Sequence, residues 1–149
     1  MENSSKIMSF LKRLFISQPL AVLATQSEGQ PYSNLVAFAE TDDLKHLIFI
    51  TNRNTKKYAN VMLNQQVAIL IDSRTNKKSD FETAVAVTAI GKADEAMGKE
   101  RDLLAEAYIA KHPHLAEFVN KPVNALMKIR ITDCIIAGFE NVQTIHISD

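Results

Sequence analysis

The sequence predicts a mainly β fold, a closed antiparallel barrel of about six strands with helices on its outside. Two observations carry this. Apolar segments of strand length outnumber helical ones, and most of them sit beside a sequence neighbour across a short polar turn, which makes antiparallel pairs. A closed barrel this small is filled by its own side chains, so a ligand has to lie against its outer wall.

The elements follow in order. Ile7, Leu11, Leu14 and Phe15 recur at helical spacing, with Lys6, Lys12 and Arg13 opposite. They form an amphipathic helix before Pro19 that is expected to pack on the protein's own core rather than on a membrane. Leu20 to Gln26 reads as a strand, and Ser27-Glu28-Gly29-Gln30 as a turn in which Gly29 is free to take positive φ. Tyr32 to Glu40 is the second strand, Thr41 to Lys45 a second turn, and His46 to Thr51 the third strand. A helix from Thr55 to Leu63 follows, with Tyr58, Val61 and Met62 on one face, then the apolar strand Val67 to Ile71. Arg74 to Phe81 is polar and reads as a mobile loop. Thr83 to Ala93 is a strand, and Met97 to Lys111 a helix with its apolar stripe at Leu103, Leu104 and Ala107. Pro113 to Val119 is a short further helix. Two last strands, Ala125 to Ile131 and Cys134 to Ile147, complete the sheet, with Gly138 marking a bulge or close approach.

Composition narrows the function. A chain of 149 residues is expected to be one domain, residues 1–149, able to bury a real core. Seventeen basic and seventeen acidic residues cancel, which removes the electrostatic case for nucleic acid. The single cysteine, Cys134, excludes an internal disulfide and reads as a small buried hydrophobe. No run has transmembrane length and no signal peptide is evident, so a soluble, cytoplasmic protein is expected. No zinc-type Cys/His cluster, Walker loop or GxGxxG motif is present.

The most informative segment is Phe49-Ile50-Thr51-Asn52-Arg53-Asn54-Thr55-Lys56-Lys57-Tyr58. An apolar strand runs into a polar turn that delivers a hydroxyl and two lysines to the first turn of a helix. A helix start carries free N–H groups and partial positive charge. Two readings fit: a capped surface helix with two solvated lysines, or a cradle for a phosphate dianion.

The surrounding residues tip the balance. Pro19-Leu20-Ala21-Val22-Leu23-Ala24-Thr25, Gly29-Gln30-Pro31-Tyr32-Ser33-Asn34, Phe49-Ile50-Thr51-Asn52, Thr55-Lys56-Lys57, Asn64-Gln65-Gln66-Val67-Ala68-Ile69-Leu70 and Gly91-Lys92-Ala93 together resemble the pyridoxamine 5'-phosphate oxidase-like family of FMN-binding split barrels. The resemblance spans roughly residues 7–147, and its specific part is the Thr-Asn-x-x-Thr-Lys-Lys piece between strand and helix.

The resemblance implies a six-stranded antiparallel split barrel and a homodimer with FMN in a groove between protomers. It implies Thr55 and Lys57 as phosphate ligands with Lys56 as a third. Ile50, Thr51 and Asn52 would lie beside the ribityl chain and ring. The backbone of Ser33, Asn34, Leu35 and Val36 would run along the ring edge, and Asp72, Ser73 and Arg74 would reach the site from the partner chain. The chain also departs from the oxidase proper. That enzyme carries a phosphate-holding arginine on its second strand, where Ser33-Asn34 stand here, and an arginine-rich C-terminal segment with tryptophan and histidine. This chain has no tryptophan and ends in Glu140-Asn141-Val142-Gln143-Thr144-Ile145-His146-Ile147.

Flavin binding survives these departures, and pyridoxamine phosphate oxidation does not follow. The expectation is an FMN-dependent oxidoreductase acting on a small organic molecule, with no named catalytic side chain. Alternatives are a non-catalytic flavin-binding or sensing protein, a haem-utilising relative, or a deazaflavin-dependent one. For haem, His112 and His114 are the candidate pair. Their competing reading is a helix-end turn in which histidines complement the dipole, away from the flavin ring.

Overall fold

In the computed structural model, which describes residues 2–149, strict alternation sets the barrel. Strand β1 (Leu20–Ser27) buries Ala21, Leu23 and Thr25 and turns Leu20, Val22 and Ala24 outward. Strands β2 (Gln30–Glu40), β3 (His46–Asn52), β4 (Gln66–Asp72), β5 (Ala86–Glu95) and β6 (Asn124–Ala137) continue the wall, and β7 (Val142–His146) adds to the far half of β6. The hydrogen-bonded order is β3-β2-β1-β4-β5-β6, and β6 returns to pair with β3, so six antiparallel strands close. The helices are α1 (Glu2–Ser17), α2 (Lys56–Leu63), α3 (Asp80–Thr83), α4 (Gly98–Lys111) and α5 (Ala116–Asn120), the last preceded by a 3-10 turn at Pro113–Leu115.

Two apolar clusters hold the elements. The inward side chains form one core with Leu11, Leu14 and Phe15 of α1. Phe15 meets Phe38 edge to face, with ring centroids 6.3 Å apart. Both rings are fully buried, worth roughly 1.5–3 kcal/mol each. The second cluster lies outside the barrel, where Ala105, Tyr108 and Val119 of α4 and α5 cover Ala39, Ile48, Ile50 and Leu126.

Register explains how the wall opens. β2 pairs with β3 only at Phe38↔Phe49, Ala39↔Ile48 and Glu40↔Leu47. Beyond that point β2 continues on β1 as far as Gln30↔Ser27, while β3 continues on β6 as far as Asn52↔Asn124. One edge of β2 from Gln30 to Val36 and one edge of β3 from Ile50 to Asn52 therefore have no strand partner among the described residues. The barrel is split there.

Several elements differ from the sequence reading. The last strands do not break at Thr132-Asp133. β6 runs through, and the turn falls at Gly138–Asn141. Thr132 is instead the extra residue of a bulge, because Ile90 pairs with Asp133 and Gly91 with Ile131. The close approach expected at Gly138 belongs to Gly91: a Cβ there would lie 2.1 Å from the Arg130 carbonyl oxygen, whereas Gly138 has open space. β5 starts at Ala86 rather than Thr83, since residues 80–83 form a helical turn. The loop before it is tied by the Asp80 carboxylate, which accepts from the N–H and hydroxyl of Thr75 and from the Asn76 N–H. In α4 the buried stripe runs through Ala105 and Tyr108, and Leu103 is 67% exposed.

Candidate functional site

The strand-to-helix turn after β3 is built by two threonines and an asparagine. The Asn52 side-chain oxygen accepts from the Asn54 N–H at 2.8 Å, a tight Asx turn. Thr55 has extended backbone and caps α2, its hydroxyl oxygen accepting from the Tyr58 N–H at 3.3 Å. The same hydroxyl donates to the Asn52 carbonyl at 2.9 Å. Buried Thr51 lies 2.7 Å from it, hydroxyl to hydroxyl. The Thr51 hydroxyl also lies 3.2 Å from the Asn52 carbonyl, and each hydroxyl has one proton, so one of the pair donates to that carbonyl and the other to its neighbour. Thr55, which the resemblance implies as a phosphate ligand, is also the helix cap, and the N–H groups of Lys56 and Lys57 follow it at the start of α2. Neither has an acceptor among the described residues.

The two lysines differ. Lys56 is exposed, with Nζ 5.0 Å from the centroid of the Tyr32 ring, a cation–π contact reaching across to β2. Lys57 is half-buried and makes no ion pair among the described residues. Burial pushes its ammonium below the ordinary lysine range. A cation desolvated without a counter-charge is what an anion site needs before its ligand arrives.

Arg53, in the middle of the motif, has another role. Its guanidinium holds Glu95 at 2.6 Å and the Pro122 carbonyl at 2.7 Å. Glu95 also accepts from the Tyr58 hydroxyl at 2.8 Å. Arg53 and then Tyr58 hold the Glu95 carboxyl below its usual value. This network clamps the turn to the end of β5. Sequence reading missed it, because the partners are 42 and 37 residues apart and neither type is diagnostic.

Across the split lie the β2 residues. Ser33 and Leu35 point outward and are exposed, and Val36 is buried. Asn34 is half-buried, and its side-chain oxygen is fully buried with no hydrogen-bond partner among the described residues. An orphan acceptor of this kind costs about 1–3 kcal/mol unless a donor reaches it. The structure brings Tyr32 and Lys56 together. It sets Ile50, Thr51 and Asn52 on the unpaired edge of β3, and Ser33 to Val36 on the unpaired edge of β2.

Asp72 and Arg74 form an ion pair at 3.0 Å, and the Ser73 hydroxyl accepts from the Val85 N–H at 2.9 Å. With Leu35 and Val22, Asp72 and Arg74 line a cavity of about 250 Å³ within one protomer. The rings of His112 and His114 lie edge to face with centroids 6.0 Å apart, but the two differ in burial. His114 is exposed, as expected of a helix end. His112 is buried, with its Nε2 2.7 Å from the Phe38 carbonyl, beside Tyr108, whose hydroxyl donates to the Ala37 carbonyl at 3.2 Å. It is therefore an anchor for β2 and not a dipole-complementing surface residue. No group of three or more metal-ligating side chains exists among the described residues, and none of the described helices is long and apolar enough to cross a membrane.

A family model described as pyridoxamine 5'-phosphate oxidase matches residues 7–135. No curated protein matches the chain in sequence. Among solved structures, a heme binding protein from Mycobacterium smegmatis is similar with a TM-score of 0.80 at 14% identity, over 90% of this chain and 55% of that one. The chain thus spans about half the length of that protein. General Stress Protein 26 from Bacillus anthracis gives 0.71 at 18% identity, over 94% of this chain and 98% of that one. A FAD-binding protein from Mesorhizobium loti gives 0.67 at 18% identity, over 92% and 90%. At such identities these structures speak for the fold alone. With the family model spanning most of the sequence and the split barrel observed, the chain belongs to the pyridoxamine 5'-phosphate oxidase-like family.

Proposed function

We propose that this protein is an FMN-binding oxidoreductase acting on a small organic substrate, working as a homodimer with the flavin at the interface. The observation that carries the reading is the split itself. Two strand edges that are unpaired among the described residues border the start of α2, β3 running into it and Tyr32 of β2 meeting Lys56, and there two N–H groups and the half-buried Lys57 have no partner among the described residues. The residues fit the group. Lys57, Lys56 and their N–H groups would hold the phosphate. Backbone groups from Ser33 to Val36 would supply the ring contacts.

When bound, flavin supplies a two-electron carrier at its N5, and the protein supplies binding, orientation and electrostatics. Lys57 fixes one end by charge, and Thr51, Thr55 and Asn52 keep the turn in the shape that aims its N–H groups. The Arg53–Glu95–Tyr58 clamp keeps that turn against β5. Outward Leu20 and Leu35 are 48% and 61% exposed, and with half-exposed Val22, Ala24, Ala68 and Leu70 they offer an apolar wall suited to a second protomer.

The haem reading has less support. A histidine ligand needs an available nitrogen facing an apolar pocket, and His112 has its Nε2 engaged by Phe38 in the core. The absorption spectrum of the purified protein tests the proposal. The expected outcome is the two-banded flavin spectrum, with FMN released on denaturation. A Soret band or the single band of a deazaflavin would overturn it. Anaerobic bleaching by NAD(P)H, with reoxidation by a quinone or nitroaromatic, then separates the oxidoreductase from a flavin-binding protein without turnover.

A further inference from the structure

The opposite end of β3 carries a second concentration of donors that the flavin reading leaves unused. Register sets His46 of β3 directly across from Arg130 of β6, and Arg130 directly across from Lys92 of β5. Three basic side chains thus form one row over three adjacent strands, on the face opposite the buried Ile129 and Ile131. Arg130 and Lys92 are like charges directly opposite, an arrangement that destabilises a sheet.

What lies there is a cavity of about 230 Å³ lined by His46, Gln65, Lys92, Asp94, Lys128 and Arg130, without one apolar side chain. That is several water volumes, at about 30 Å³ each. Lys128 is already compensated, with Glu100 at 2.7 Å and Asp94 at 4.0 Å. Lys92 is exposed and has no ion-pair partner among the described residues. Arg130 donates to the main-chain oxygen of Asp149, so the tail already brings an oxygen acceptor to this guanidinium. The Asp149 side chain is fully exposed and turned to His146, while Ile147 and Ser148 stay bonded to the carbonyls of Thr132 and Ile131, so a ligand at Arg130 has only the last residue to displace. We infer that this cavity is a second ligand site, binding inorganic phosphate or the phosphoryl group of a small monoester between Lys92 and Arg130, with His46 and Gln65 as further donors.

The charges facing His46 agree with this. Burial lowers its proton affinity; Lys128 and Arg130 lower it further, while Asp43 and Glu100 raise it. An anion in the cavity acts on His46 as Asp43 and Glu100 do, so occupancy raises the pH at which His46 titrates. The site stands about 20 Å from the Thr51–Lys57 turn, the length of β3 at 3.3 Å per residue, and is independent of the flavin.

The test is an NMR titration of the His46 imidazole in the purified full chain, with inorganic phosphate added at constant ionic strength and His46→Gln supplying the assignment. A saturable shift and an upward move of the His46 titration are expected. Lys92→Gln, a change at an exposed side chain, should weaken binding about five-fold or more. Lys57→Ala should leave the response unchanged. The inference is overturned if sodium chloride at equal ionic strength reproduces the shift, if Lys92→Gln keeps full affinity, or if Lys57→Ala abolishes the response. Glycerol 3-phosphate in a parallel titration identifies the source. Binding as tight as phosphate or tighter assigns a monoester and weaker binding assigns the free ion. Saturation by neither compound refutes the site.

Discussion

Lys57 and Gly91 are the two residues on which most depends. Lys57→Ala is expected to weaken FMN binding by about 1.5–3 kcal/mol, the range of a charge-assisted hydrogen bond. Riboflavin, which lacks the phosphate, should bind wild type poorly and be little changed by the substitution. Calorimetric titration of both ligands separates the outcomes, and equal losses would place Lys57 on the ring or the fold. The pH dependence follows from the same residue. Burial lowers the folded-state pKa of Lys57, so without ligand its charge opposes folding at pH values below that pKa, and the cost fades as pH rises through it. Phosphate binding needs the charged form. FMN affinity should therefore fall as pH rises, starting at a lower pH than for an exposed lysine. For Gly91, the added methyl of Gly91→Ala meets backbone and not a movable side chain. A loss of about 1–3 kcal/mol in urea unfolding is expected, with the β5–β6 bulge region losing amide protection first.

At the scale of elements, α4 acts on β2. Tyr108 and His112 bond to the carbonyls of Ala37 and Phe38, and Lys111 bonds to Phe15 and Glu40 while lying 3.9 Å over the Phe38 ring. The helix end therefore fixes β2 where it leaves β3, two residues from the edge assigned to the flavin ring. His112→Ala should cost about 1–3 kcal/mol, because it leaves a buried carbonyl unpaired. His114→Ala should stay within about 0.5 kcal/mol. Chemical denaturation of the two variants side by side checks this. What was legible in the sequence follows from range. The Gly29 turn and the β1–β2–β3 meander depend on residues a few positions apart, and both stand as read. Thr132-Asp133 looked like a strand break because two polar residues interrupt an apolar run. Only the partner strand, with Gly91 opposite, shows that they form a bulge. The Arg53–Glu95–Tyr58 clamp and the buried His112 were illegible for the same reason: their partners are set by closure of the barrel.

For the whole molecule, the expected state is a dimer. The packed interior offers no room for a flavin, and the outward wall around Leu20, Val22, Leu35 and Leu70 is apolar and uncompensated. Light scattering of the FMN-loaded protein should give twice the chain mass. Leu35→Glu should shift it toward monomer with loss of FMN. A monomer that retains tightly bound FMN would refute the arrangement.

The pairing of β6 with β3 has a consequence for how the molecule is made. Residues 46–52 wait for residues 124–130, so the contact that closes the wall is among the most distant in the chain. Loop-closure entropy makes such contacts late and slow. Until residue 124 and its neighbours arrive, β3 and β5 both present naked edges of apolar strand, the form in which sheets recruit other chains. A nascent or truncated chain lacking β6 is thus an open, self-adhesive ribbon, and the last barrel strand to be made protects the five made before it.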